Sequence, residues 1–453
     1  MSKQSNAATQ HTELNRTMGF WDLMSTSVGQ IIGSGILSIL PICILITGRS
    51  VPIAFAIASI IILADAIPST LLSSVVRLKG GTHTQVAMLG GARFAGMNVI
   101  CSVMMATSIS VYAISIADYV VGMFPSGEPA RMWIALGVLT FFWILNMVGI
   151  DAFAKVQNIM VILLVVAFIL FCVKGLPAVD WGNYFVRDSG WMPGGMKGLF
   201  RAGALLTYAT SGCVLLVNFS PVAKNPTRDI PKAIVLSTVA VCVLYAVMSF
   251  VAAGVLPIEE LSGSDLVQVA KAILTGPEMM FFMIAGVIMA IATTLSSSMA
   301  ALSGPYLQMS KEGWLPRSLA TLNRFNIPWK IQTALYVLGV FCIVTNISLE
   351  GMASMCLIAQ SVVFGLIAFY TMRIPKLFPE AWAKSKFHVS DTALKVLCSL
   401  AVAANVFNLV LNMSGLDTVM IIINIVLLVF GFVYGTVWGK RVKMEISYEI
   451  VND

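Results

Sequence analysis

Charge is what this sequence has least of. Of its 453 residues only 11% are charged, while 58% are hydrophobic. Ordinary soluble chains carry about 25% charged residues, so the soluble globular classes are excluded. Mean hydropathy is +0.89, the value of a polytopic, all-α membrane protein that has lipid for its surroundings. Histidine is scarce as well: His11, His83 and His388 are scattered and polar in context. The eight cysteines (43, 101, 172, 213, 242, 342, 356 and 398) all lie within apolar stretches. None pairs across an external loop, so no disulfides are expected. Neither residue type has the spacing of a metal site. There are no paired carboxylates and no nucleophile–base pattern, which argues against an enzyme, and no cofactor is implied. The first 17 residues are polar with no apolar core, so no cleavable signal peptide is read there. No linker or low-complexity run interrupts the rest. The expected organisation is one membrane domain over residues 18–439, with polar tails at 1–17 and 440–453.

The net charge of +7 reflects membrane topology and implies no nucleic-acid partner. Sorted by the loops expected from hydropathy, 21 of the 28 Lys and Arg fall on one side, together with both termini. By the positive-inside rule that side is the cytoplasm of a plasma or inner membrane. A spanning helix needs about 20 mostly apolar residues. Twelve candidates meet that test, at about 20–46, 52–77, 95–124, 131–149, 152–175, 196–221, 230–256, 278–310, 329–347, 350–373, 392–412 and 415–439.

Two of these spans carry a polar flaw. The first contains Gly29-Gln30-Ile31-Ile32-Gly33-Ser34-Gly35-Ile36. Three glycines there cost a helix roughly 1 kcal/mol each relative to alanine. In lipid, a broken helix is tolerated only where the freed backbone faces protein, a cavity or a ligand. The amides of Gly33, Ser34 and Gly35 would open the continuing helix, and a helix start attracts a carboxylate. The carbonyls of Gln30 and Ile31 would close the preceding half and suit an ammonium group. One break thus offers both halves of an amino acid zwitterion. The sixth span repeats the flaw at Tyr208-Ala209-Thr210-Ser211-Gly212-Cys213. Corresponding breaks in two halves point to an inverted-repeat transporter with its site at the midplane. Spans 1–5 then form one repeat, spans 6–10 the second, and the last two are appended. Small residues are also ordinary helix-packing glue.

After the sixth span comes Ala223-Lys224-Asn225-Pro226-Thr227-Arg228-Asp229-Ile230-Pro231-Lys232-Ala233-Ile234. This resembles the cytoplasmic signature of amino acid transporters of the amino acid–polyamine–organocation superfamily. Gly33-Ser34-Gly35-Ile36 resembles the same family's first-span motif. Lys155-Val156-Gln157-Asn158 resembles its basic-Val-Gln motif, and Ser310-Lys311-Glu312-Gly313-Trp314-Leu315-Pro316, with Asn323 and Pro328, its loop after the eighth span. The resemblance implies the leucine-transporter fold, a 5+5 inverted repeat plus two helices. It implies that the substrate carboxylate meets the amides of Gly33, Ser34 and Gly35. The amino group would meet carbonyls at Ile31, Tyr208 and Ser211. Tyr208 stands at an aromatic gate, and Gly212 is the second break itself.

The departures matter as much. A Glu found in many relatives is Val214 here, and an aromatic of the eighth span is Ser298. The pocket expected from Ser211, Cys213, Ser298 and Ser108 or Ser110 is small, polar and uncharged. That favours a neutral amino acid as the small-molecule partner over a polyamine, which would need acids. An amino acid sensor is a further alternative, although neither tail exceeds 17 residues. A lysine that some relatives carry on the fifth span is Leu164 here, so that fixed cation is missing. Three coupling modes stay open: sodium at helix hydroxyls such as Thr294 and Ser297, a proton at the intramembrane acid Asp65, or uncoupled exchange. Asp118 is expected near the outer interface, and Asp22 at a helix start.

Overall fold

The computed structural model describes residues 14–124, 129–185, 191–257, 266–345, 347–414, 416–442 and 448–450. The chain is helical nearly throughout. Helix α1, Phe20–Ile31, is followed by α2, Ser34–Thr47, and by α3, Val51–Val75. A short strand β1, Val76–Leu78, leads into α4, Gly81–Gly90, α5, Ala92–Ala106, and α6, Ser108–Met123. Next come α7, Arg131–Val148, α8, Ile150–Gly175, and α9, Gly195–Thr210. A 3₁₀ segment, Cys213–Phe219, separates α9 from α10, Pro226–Val255. The later elements are α11, Leu266–Ile273; α12, Gly276–Phe281; and, after a π-helical stretch Phe282–Ile288, α13, Met289–Glu312. The chain finishes with α14, Trp329–Val344; α15, Leu349–Thr371; α16, Asp391–Ser414; α17, Thr418–Trp438; and a strand β2, Tyr448–Ile450.

Among the described residues, ten helical stretches are long and apolar enough to cross a membrane. Hydropathy alone gave twelve, and the difference lies in two places. Gly35–Val75 runs as one apolar stretch of 41 residues, about twice what one crossing needs. It joins α2 to α3 through a 3₁₀ turn at Gly48–Ser50, where Gly48 takes φ 65°. The expected ninth span is the 16-residue α14. At 1.5 Å per residue it reaches about 24 Å, short of a hydrocarbon core of about 30 Å.

Burial separates an inner set of helices from an outer one. The apolar windows of Ala92–Met123, Gly195–Phe219 and Gly276–Glu312 are 72%, 72% and 67% buried, whereas those of α16 and α17 are 22% and 17%. Hydrophobic side chains on α17, such as Val419, Val426 and Phe430, are exposed, as a lipid-facing helix requires. The inner helices carry the second break and many of the small polar residues.

The family-like motifs prove to be braces around α1. Asp22 accepts from the Gly19 amide at 2.9 Å and from Asn158 Nδ2 at 2.8 Å, so it caps α1 and ties it to α8. Gln157 Nε2 donates to the Thr293 carbonyl of α13 at 3.3 Å. A Cβ on Gly29 would lie 2.4 Å from that same Nε2 and 2.9 Å from Thr293 Cβ, so the crossing is tight here. Glu312 accepts from Gln308 Nε2 at 2.8 Å and Trp314 Nε1 at 3.1 Å, and it pairs with buried His83 at 3.0 Å. The motif after α13 is therefore a buried hydrogen-bonded corner that holds α4.

One feature was not foreseen. The stretch expected to be a simple polar tail contributes β2, which pairs antiparallel with β1, Val76 opposite Ile450 and Leu78 opposite Tyr448. Beside it, Met18 N donates to Val222 O at 3.1 Å and Lys224 N donates to Met18 O at 3.0 Å.

Candidate functional site

The first break is real and sharp. Helix α1 stops at Ile31, Ile32 and Gly33 take extended conformations, and α2 restarts at Ser34. The first amides of α2 therefore have no carbonyl one turn back within their own helix. At the C-terminal end of α1, Thr294 Oγ1 lies 2.9 Å from the Gly29 carbonyl and 3.1 Å from that of Ile32, both able to accept from it. It is also 3.0 Å from Ala290 O in its own helix. One hydroxyl of α13 thus sits amid three carbonyl oxygens.

The second break lies against the first. Helix α9 ends at Thr210, Ser211 is extended, and Gly212 takes φ 112°. That region favours glycine, and space demands it too. A Cβ on Gly212 would stand 2.5 Å from the Gln30 carbonyl oxygen of α1. Gly35, in the first turn of α2, is packed as tightly, with its Cβ position 2.8 Å from Ala209 Cα.

A cavity of about 80 Å³ opens where these elements meet. Of the residues singled out from sequence, Ile31, Gly33, Gly35, Tyr208, Ser211, Gly212, Ser298 and Thr294 all line it. Ser34 lies between two of them in the chain and contributes the first helical position of α2. No Asp, Glu, Lys or Arg is among the lining residues.

The other residues singled out from sequence are placed as follows. Ser108 lines the cavity, but Ser110 and Cys213 do not. Ser110 is fully buried, with its Oγ 3.4 Å from Gly339 O, and Cys213 is turned into the core. A stagger of two residues on a helix, or a change to 3₁₀ winding after Gly212, points a side chain elsewhere. Ser297, named only for a possible coupling role, is not among the lining residues, and its hydroxyl donates to Thr293 O at 2.7 Å. Val214, at the family's Glu position, is buried away from the cavity. Asp118 forms an exposed ion pair with Arg131 near the end of α6. Asp65 of α3 is hydrogen-bonded by Asn405 of α16 and lines a second cavity that also touches Tyr208 and Ser211. Leu164 is fully buried on α8.

Among the lining residues that the sequence did not single out, three carry a phenol or an amide. Tyr112 of α6 and Gln360 of α15 occupy spans that showed no break, so nothing in the sequence marked them. The third, Gln30, was considered only for its carbonyl. Its side chain is 4% exposed, and among the described residues neither amide atom has a hydrogen-bond partner. A glutamine beside the helix break, inside an apolar span, was the available signal.

Residues 18–441, nearly the whole chain, match the family model described as amino acid permease. The chain belongs to this family. It is an amino acid transporter type of the amino acid–polyamine–organocation superfamily and a multi-pass membrane protein. The branched-chain amino acid permease BcaP of Bacillus subtilis is 26% identical over 398 residues, covering 81% of this chain and 82% of that relative. A methylthioribose transporter of the same organism is 26% identical over 404 residues, covering 85% and 86%. The cationic amino acid transporter 1 of Arabidopsis thaliana is 25% identical over 253 residues, covering 52% of this chain and 42% of its own. The names of these permease relatives span an apolar side chain, a thiosugar and a cation. Membership in the family therefore leaves the substrate to be argued from this cavity.

Proposed function

We propose that this permease is a secondary transporter of neutral α-amino acids that works by alternating access and exchanges one substrate for another. The carrying observation is the pairing of helix-start amides at Gly33–Gly35 with a cavity wall free of charged side chains. A carboxylate gains from a helix N-terminus, and an ammonium gains from the carbonyls that end the other half-helix. With both charges of the zwitterion met by backbone, the uncharged wall is left for the side chain. An anionic or cationic side chain would be buried there without a counter-charge, at a cost of several kcal/mol. The two opposed breaks support a leucine-transporter fold with a 5+5 inverted repeat. The Lys and Arg distribution supports a plasma-membrane location with both termini cytoplasmic.

Exchange is favoured because no acid lines the central cavity to carry a proton, and the Thr294 hydroxyl already lies among the carbonyl oxygens at the end of α1 that an ion would need. A second reading, sodium symport, draws on the same contact, since the Thr294 hydroxyl and three carbonyls put four oxygens together. Uptake into proteoliposomes, with and without internal amino acid and under imposed sodium or pH gradients, separates the two. Exchange requires strong stimulation by internal substrate and indifference to both gradients. Sodium-driven accumulation in empty vesicles, lost in Thr294→Val, would overturn it.

A further inference from the structure

A second cavity of about 430 Å³ lies between α3, α9, α15 and α16. Tyr208 and Ser211 belong to both cavities, so they form the wall between them. Its composition is unlike the first. Asp65 lies mid-helix on α3, about ten residues, or roughly 15 Å, before that helix ends. Across from it, α16 presents Asn405, Asn408 and Asn412 to the cavity. The spacing i, i+3, i+7 keeps the three on one face. Polar residues inside a span are costly in lipid and mark function by default. This stripe is notable because the apolar window of α16 is only 22% buried.

The hydrogen bonding selects the ligand. Asn405 Nδ2 donates to the Asp65 carboxylate and, at 2.9 Å, to Ala401 O. Asn412 Nδ2 donates to Asn408 O at 2.7 Å. The Asn405 amide is thus spent within the wall, and Asp65 is the one charged residue among those that line the cavity. No Lys or Arg lines the cavity. A carboxylate in a wall without a cationic side chain is complementary to a hydrogen-bond-donating cation. The cavity continues past Leu411 to Ser414, the last residue of α16. It therefore reaches from the end of a membrane helix down to the carboxylate.

We propose that this cavity is a second ligand site, for a primary ammonium group, with Asp65 as its counter-ion and Tyr208 as the partition from the central cavity. The site goes beyond the transport reading above and stands whether or not the central cavity takes neutral amino acids.

The test uses the full-length protein in detergent, with thermal unfolding followed during titration by 3-methylbutylamine, an amine without a carboxylate. The uncharged 3-methylbutanol is the shape control. The amine should raise the unfolding midpoint of the wild type and of Gly33→Leu, while the alcohol should not. Asp65→Asn should weaken the amine response about tenfold or more, the loss expected for a hydrogen bond to a charged partner. An unresponsive wild type, an equal response in Asp65→Asn, or an equal response to the alcohol overturns the proposal. So does a response lost in Gly33→Leu but kept in Asp65→Asn, which would assign the amine to the central cavity. If Gly33→Leu does not fold, Ser298→Trp fills the central cavity instead. If Asp65→Asn does not fold, Asn408→Leu tests the same wall. Leucine, run in parallel, separates the two readings: its failure to shift the wild type counts against the neutral amino acid reading and leaves the amine result to stand.

Discussion

The two helix breaks look alike in sequence and differ in kind. After the first, α2 resumes as a full α-helix, so its opening amides are left to face the cavity. After the second, the chain winds as a 3₁₀ segment and the Leu215 amide already donates to Gly212 O at 3.1 Å. Its amides are consumed within the turn from Leu215 onward, one residue sooner than α-helical winding would allow. The first break is therefore a source of donors, and the second a hinge that brings Tyr208 and Ser211 to the cavity. A small-polar interruption marks where a membrane helix stops. How the chain restarts decides which charge the break can hold.

This contrast can be broken by substitution. The largest effect is expected from Gly212→Val. A positive φ at a non-glycine residue costs roughly 1–3 kcal/mol, and the added side chain meets the Gln30 carbonyl. Thermal unfolding of the solubilised protein should show a clearly lowered midpoint, and uptake should be lost; a wild-type midpoint would mean the hinge is not strained. Gly33→Leu should abolish substrate binding while the protein still inserts and folds, so unchanged affinity in equilibrium binding would remove the carboxylate from the first break. Thr294→Val leaves the Gly29 and Ile32 carbonyls without that donor. A stability loss of about 1–3 kcal/mol is expected in chemical unfolding, and no loss would show that the bridge contributes nothing. Tyr208→Ala should slow transport more than it weakens equilibrium binding, because a partition acts on rate; equal effects would make it ordinary wall. Competition by amidated or N-acetylated analogues should be weak, since each removes one of the two charges that the breaks distinguish. Strong inhibition by decarboxylated amines would turn the assignment toward an amine carrier.

Much of this was legible because lipid is an unforgiving solvent. Backbone polar groups cannot be left facing hydrocarbon, so glycines and hydroxyls inside apolar spans had to mean something. The positions of both breaks and the place of Ile31 beside the first followed from that, while Tyr208 and Ser298 were found through the family resemblance. The capping role of Asp22 was readable from its place at a helix start. What escaped was orientation. Ser108 and Ser110 have the same chemistry, and only the crossing of α6 against α13 and α14 decides which faces the cavity. Cys213 was lost because 3₁₀ winding rotates side chains by 120° per residue instead of 100°. Tyr112 and Gln360 had no sequence signal at all, and the pairing of Asp65 with Asn405 joins residues 340 positions apart.

The strand pair at the ends of α3 and the chain has a consequence for how motion could be watched. Strand β1 is tied to β2, its Leu78 amide donates to Ser220 Oγ at 3.1 Å, and Arg77 Nη2 reaches Ala223 O at 3.4 Å. Met18 brackets the same stretch from the other side. The segment that leaves the Gly212 hinge is thus moored directly to Met18 and to β1, and through β1 to β2. Any swing of that segment must strain or release both moorings together. A donor–acceptor dye pair carried near Met18 and Tyr448 would then act as a strain gauge for the hinge, read far from the cavity and without touching it.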